Sequence, residues 1–313
     1  MADAVHICET GPRDGLQNLP VQIATDVKCA LIDSIAAAGV QEIDAGSFVP
    51  ARVVPQFADV DAVMAHAITL PTIIAALCPN PKGAERAIAA GVDVITFVIS
   101  ASETHNLANV RRTIDEQLEG FHAVRRLIDA APKKPHLVGA ISTAFGCSLE
   151  GRVAQSAVRD LAIAFAQGGA DEIALADTVG YGNPALIKTL TRAVQSDVGQ
   201  AMPLRLHLHD TLGLGLANAC AGLEIGIRRF DSAVSGLGGC PFAPGAKGNI
   251  VSEDLIFLCE ELGLSTGIDL ERLMQTRELL ARHVPAHLLN GHLHEAGYPK
   301  ALRDKAASAA MSA

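Results

Sequence analysis

Val92-Asp-Val-Ile-Thr-Phe-Val-Ile99 decides how the rest of the chain is read. Six of its eight side chains are β-branched and only Asp93 is charged, so the run has no polar face. A strand of that kind is buried on both sides, which is the condition of a parallel strand covered by helices. Seven similar runs flank it: Val5–Thr10, Val40–Phe48, Pro71–Cys78, His136–Ser142, Glu172–Ala176, Leu204–His209 and Phe230–Ser235. Amphipathic stretches separate them. Thr25 and Asp26 offer an N-cap before Val27–Ala38, and Gly39 stops that helix. Ser252-Glu253-Asp254 opens another, which runs to Leu262 before Gly263. Eight strand–helix alternations in about 260 residues predict a (β/α)8 TIM barrel of the α/β class. A doubly wound sheet is the alternative, but no Gly-x-Gly-x-x-Gly follows the first run. We expect one domain over residues 1–313, with the barrel at about 5–262 and extra C-terminal helices and a tail at about 263–313.

Composition narrows the function. The 313 residues are 49% apolar and carry a formal net charge of −9, with basic residues no denser than pairs such as Arg111–Arg112. That excludes nucleic acid or an anionic membrane as the main partner. No window reaches the roughly 20 apolar residues of a membrane span, and the N-terminus lacks the pattern of a secretory leader. Seven scattered cysteines without a CxxC fit a reducing compartment, so a cytoplasmic location is expected.

The active site of such a barrel lies at the C-terminal ends of its strands. The exits read Gly11-Pro-Arg-Asp-Gly-Leu-Gln17 after strand 1, Asp44 with Ser47-Phe-Val-Pro50 at strand 2 and Asp177-Thr-Val-Gly180 after strand 6. Strand 7 ends in His207-Leu-His-Asp-Thr211, and strand 8 leads into Gly236-Leu-Gly-Gly-Cys-Pro241, with Asn249 shortly after. His207 and His209 are two apart, so period-2 geometry turns both imidazoles to one face. A hydrogen-bonded core pair is the plain reading. Asp14 and Asn249, on the strands that close the barrel beside strand 7, turn the pair into a mixed N/O set suited to Mg²⁺ or Mn²⁺. Arg13 is read as a clamp for a carboxylate or enolate oxygen rather than a surface ion pair. Cys240 sits in glycine-rich sequence, where a partly exposed thiol can move a proton. Cys29, Cys220 and Cys259 fall on helix faces and are expected to be inert core residues.

These segments, in this order, resemble the 3-hydroxy-3-methylglutaryl-CoA (HMG-CoA) lyase family. The matching stretches are Glu9–Asn18, Ser47–Pro50 with Val54–Gln56, Asp177–Gly180, His207–Thr211, and Val234–Ala243 with Gly248-Asn249. The resemblance implies that Asp14, His207, His209 and Asn249 are metal ligands and that Mg²⁺ or Mn²⁺ is the cofactor. It implies that Arg13 polarises the thioester carbonyl and that Cys240 takes part in proton transfer. Gln17, Asp44, Asp177 and Thr178 are read as substrate-facing, with Asp44 also a catalytic candidate. An acyl-CoA substrate, cleavage of HMG-CoA to acetyl-CoA and acetoacetate, and a homodimer follow from the same resemblance. One departure stands out: Asp44 occupies a position where lyases of this family typically carry Glu. A related substrate such as citramalyl-CoA, a Claisen-condensing synthase and a non-catalytic scaffold are the alternatives. The general base stays open between Asp44, the histidines and a water held by Asp177.

Overall fold

The computed structural model describes residues 3–239, 247–297 and 299. Its centre is a closed barrel of eight strands: β1 (His6–Glu9), β2 (Glu42–Ser47), β3 (Ile73–Leu77), β4 (Val94–Ser100), β5 (His136–Ser142), β6 (Glu172–Asp177), β7 (Leu204–Leu208) and β8 (Arg229–Ser232). Every pairing is parallel, and β1 closes on β8 with His6 opposite Arg229 and Glu9 opposite Ser232. Each expected run overlaps its strand, with ends that differ by at most three residues.

The main helices follow the strands in turn: α1 (Thr25–Ala37), α2 (Val60–Ala67), α3 (Pro81–Ala90), α4 (Glu103–Val110), α5 (Ile114–Ala130), α6 (Gln155–Gln167), α7 (Pro184–Val198), α8 (Gly215–Glu224) and α9 (Ser252–Glu261). Local chemistry explains several starts. Asn183 accepts hydrogen bonds from the Ala185 and Leu186 amides ahead of α7, and Thr113 and Glu116 form a reciprocal capping box on α5. The expected cap on α1 is corrected. Helix α1 already includes Thr25, whose hydroxyl donates to Asp59 at 2.7 Å instead of capping.

The helices seal the barrel with aromatic packing. Phe121 of α5 meets Phe97 of β4 and Phe165 of α6 edge-on, at centroid distances of 5.9 and 4.7 Å. At Gly139 of β5 a Cβ would come within 2.6 Å of the Phe165 ring, so only glycine allows this approach. After α9, α10 (Leu270–Ala281) packs beside α1, where Ser34 and Thr276 share a 2.7 Å hydrogen bond. The short α11 (His292–Ala296) is tied to α9 because Asp254 accepts from the His292 and Leu293 amides.

The barrel interior is divided. On the β4–β6 side, inward positions carry Val94, Val138, Ala140 and Ala174, which pack as a small apolar cluster with Ala75. On the β7–β8–β2 side lies Arg205, bonded to Glu42 at 2.9 and 3.0 Å, Glu172 at 2.6 Å and Asp231 at 3.0 Å. This ionic floor lies beneath the histidine pair.

Candidate active site

The residues singled out at the ends of strands 1, 7 and 8 meet at one mouth of the barrel. The chain leaves β1 in a tightly wound turn, Gly11–Gly15, in which the Arg13, Asp14 and Gly15 amides all donate to the Thr10 carbonyl. The turn is pinned from beneath by Glu9. Its Oε1 accepts from the Gly11 amide at 2.8 Å and the Val234 amide at 2.9 Å, and its Oε2 accepts from the Ser252 hydroxyl. Glu9 thereby couples the strand-1 exit to the strand-8 exit. Burial pushes its carboxyl up to about 8 despite these donors. Glu253 plays a parallel part by accepting from the Ser235 amide, at a residue held in the left-handed region.

Asp14 faces the histidines. Its Oδ2 lies 3.6 Å from His209 Nε2 and 4.0 Å from His207 Nε2, while the two Nε2 atoms are 3.1 Å apart. Burial works against the Asp14 charge, but Arg13 and both imidazoles outweigh it and hold the carboxyl well below the usual range. Burial also disfavours a charged imidazole at both histidines. At His207 the Asp231 hydrogen bond and the Asp14 charge overcome it and raise the pKa; at His209 burial prevails and lowers it. Asn249 follows β8 and bridges to the strand-7 exit through a pairing with His209. Its amide nitrogen donates to Asp14 Oδ2 at 2.7 Å and to the Leu237 carbonyl at 2.9 Å.

This set fits a hard divalent cation. Octahedral ligands about 2.1 Å from a centre lie roughly 3 Å apart when adjacent and roughly 4.2 Å when opposite. The three separations among Asp14, His207 and His209 fall in that range. Asn249 Oδ1 is buried with no hydrogen-bond partner among the described residues, an acceptor in want of a positive neighbour. Space is kept by Gly238, at φ +123°, where a Cβ would lie 2.6 Å from Asn249 Nδ2 and 3.3 Å from Asp14 Oδ2.

Arg13 is buried and fixed at two points. Its Nε donates to Asp44 Oδ2 at 2.6 Å and its Nη1 to Asp14 Oδ1 at 2.6 Å. Nη2 has no partner among the described residues. The guanidinium lines a cavity that Asp14, Gln17, Thr178, His207 and His209 also line. Asp44 and Asp177 do not line it. Asp44 is turned onto Arg13, and burial, opposed by Arg13, pushes its carboxyl up to about 6. Asp177 is turned into its own loop and accepts from the Tyr181 amide at 2.9 Å and the Gly182 amide at 3.0 Å. Asp44 is thus engaged with the strand-1 turn and Asp177 with its own loop. Thr178 is engaged too, accepting from the Thr143 amide at 2.8 Å. Cys240 lies outside the described residues. Cys259 is buried as expected, whereas Cys29 and Cys220 are half-buried.

The sequence reading passed over Asp231, whose Oδ2 is 3.1 Å from His207 Nδ1. The signal was available: a lone carboxylate within an apolar strand run, on the strand that neighbours the histidine strand. Glu9 was visible only as part of a motif.

Comparison with known proteins bears on this geometry. A family model described as HMGL-like matches residues 4–280. The mitochondrial hydroxymethylglutaryl-CoA lyase of Rattus norvegicus is 40% identical over 279 residues, covering 89% of this chain and 85% of the relative. A cytoplasmic 3-hydroxy-3-methylglutaryl-CoA lyase of the same species is 38% identical over 285 residues, covering 91% and 82%. The solved HMG-CoA lyase from Acenitobacter baumannii, in complex with coenzyme A and 3-methylmalate, superposes with a TM-score of 0.88 at 40% identity and covers 95% of this chain and 96% of that one.

Proposed function

The chain belongs to the HMGL-like family, and from that premise we infer that it is a carbon–carbon lyase that splits HMG-CoA into acetyl-CoA and acetoacetate. The observation that carries the reading is the convergence of Arg13, Asp14, His207 and His209 on one cavity at the strand ends.

The reaction makes simple demands. The C3 hydroxyl loses its proton, the C2–C3 bond breaks, C3 becomes the ketone of acetoacetate, and the bonding pair passes into a thioester enolate that is protonated at C2. Asp14, His207, His209 and Asn249 would hold Mg²⁺ or Mn²⁺. A cation there supplies Lewis acidity toward the oxygens of the hydroxy acid. Arg13 presents its remaining N–H groups to the thioester oxygen, where charge grows only as the bond breaks; stabilisation confined to that moment accelerates the step. Asp44 keeps the guanidinium in place from behind. With Asp44 committed to Arg13, Asp177 to the amides of its loop and both histidine Nε2 atoms to the cation site, the hydroxyl proton leaves through a water. Cys240 delivers the proton that quenches the enolate. Gln17 and Thr178 bound the space around the acyl group. In the same reading the enzyme works as a cytoplasmic homodimer; the free state of the described cysteines supports a reducing compartment.

The discriminating experiment gives purified protein Mg²⁺ and, in parallel, HMG-CoA and citramalyl-CoA, and follows acetyl-CoA release. Turnover of HMG-CoA with the higher kcat/KM is expected. Preference for citramalyl-CoA would reassign the acyl group, and no turnover of either would leave a scaffold.

A further inference from the structure

We propose that Asp231, locked by Arg205, is a positioning residue that sets the tautomer of His207 and so points its Nε2 lone pair at the cation site. The proposal rests on the metal reading above. His207 and Asp231 stand opposite each other across the β7–β8 pairing, with His207 Nδ1 3.1 Å from Asp231 Oδ2. The other oxygen, Oδ1, accepts from Arg205 Nη1 at 3.0 Å. Arg205 has no freedom to let go, because Glu42 and Glu172 hold its remaining nitrogens from β2 and β6. A carboxylate with both oxygens engaged cannot rotate, and it can only accept. It draws the imidazole proton to Nδ1 and leaves Nε2 bare, 3.1 Å from His209 Nε2 and 4.0 Å from Asp14 Oδ2. Carboxylate partners of this kind orient metal-binding histidines and strengthen them as ligands.

The Arg205 contact makes the proposal separable from simple packing. In Asp231→Asn, Arg205 still requires an acceptor and keeps the amide oxygen. The amide NH2 is then turned toward His207 Nδ1 as a donor, which drives the imidazole proton onto Nε2 and blocks the ligand atom. Asp231→Ala removes both contacts and leaves His207 free to take either tautomer. The near-isosteric substitution should therefore do more harm than the truncation, whereas a packing role predicts the reverse.

The test is Mn²⁺ binding to the purified full-length chain, read from the electron paramagnetic resonance signal of free Mn²⁺. Tautomers are read in parallel from long-range ¹⁵N–¹H spectra of the metal-free protein, with His207 assigned by its loss in His207→Gln. We expect Mn²⁺ affinity to fall about 10- to 100-fold in Asp231→Ala and further in Asp231→Asn. We also expect an Nδ1–H tautomer for His207 in the wild type and an Nε2–H tautomer in Asp231→Asn. Asn binding Mn²⁺ as well as or better than Ala, or an Nε2–H tautomer in the wild type, overturns the proposal. If Asp231→Ala does not fold, the two tautomer spectra decide it. If the wild type binds no Mn²⁺, the metal reading fails separately, and the spectra still report on Asp231.

Discussion

Asp44→Asn separates the two roles a buried carboxylate can play. In the wild type this group is pushed from 3.8 to about 6 by burial, with Arg13 opposing. A rise of that size corresponds to roughly 3 kcal/mol of strain on the ionised form above pH 7. The amide removes that strain. It also sets an NH2 donor near the position of Oδ1, which has no partner among the described residues, at a cost of about 1–3 kcal/mol. The two contributions nearly cancel, so stability near pH 7 should change by no more than about 2 kcal/mol. Because the folded pKa is raised, the carboxyl's stabilising share is complete below about pH 4 and is lost as pH rises through about 6. The variant should thus gain on the wild type between about pH 4 and 6, with the difference level above about pH 7. Activity should not be spared. The 2.6 Å bond to Arg13 Nε changes from charge-assisted to neutral, a loss of about 1.4–2.7 kcal/mol in holding the guanidinium, which is about 10- to 100-fold in kcat/KM. Urea unfolding at several pH values, with HMG-CoA cleavage assayed on the same preparations, reads both. Wild-type kcat/KM, or a large stability loss at every pH, would refute the assignment of Asp44 to Arg13.

Three further outcomes are expected. Glu9, raised to about 8 by burial, loses its stabilising share as pH climbs through that value, so Glu9→Gln should gain in Tm on the wild type between about pH 5 and 9; a constant Tm difference would mean that Glu9 does not titrate in this range. Cys240→Ser should keep Mn²⁺ and CoA-ester binding but lose roughly 10²-fold in kcat, and wild-type turnover would move the proton to a histidine or water. Gly238→Ala should weaken Mn²⁺ binding measured by calorimetry, since its Cβ would meet Asn249 Nδ2 at 2.6 Å; unchanged affinity would show that the loop gives way freely.

The barrel was legible because its strands are buried on both faces. Runs such as Val92–Ile99 need no partner to be recognised, and the structure shifts their ends by only a few residues. The histidine pair was legible because period-2 geometry alone places His207 and His209 together. What was not legible was direction. Nothing in the strand-2 run tells whether Asp44 faces substrate or reaches sideways to Arg13, because that depends on the neighbouring strand-1 turn. Nor did the sequence show the loop bonds of Asp177: a carboxylate followed by Thr-Val-Gly-Tyr-Gly can satisfy its own loop amides, as it does at Tyr181 and Gly182. The Arg205–Asp231 pair was passed over because its charges lie on separate strands, and their contact depends on the β7–β8 register.

Cation-dependent cleavage of HMG-CoA by the strand-end cluster is the proposal on which the other expectations depend. Purified chain stripped with a chelator and then restored with Mg²⁺ or Mn²⁺ tests it most directly, with acetyl-CoA and acetoacetate quantified together. Equimolar products after restoration, none in the stripped protein and none in restored His207→Ala are expected. Equal turnover with and without the cation, or unchanged turnover in His207→Ala, would contradict it.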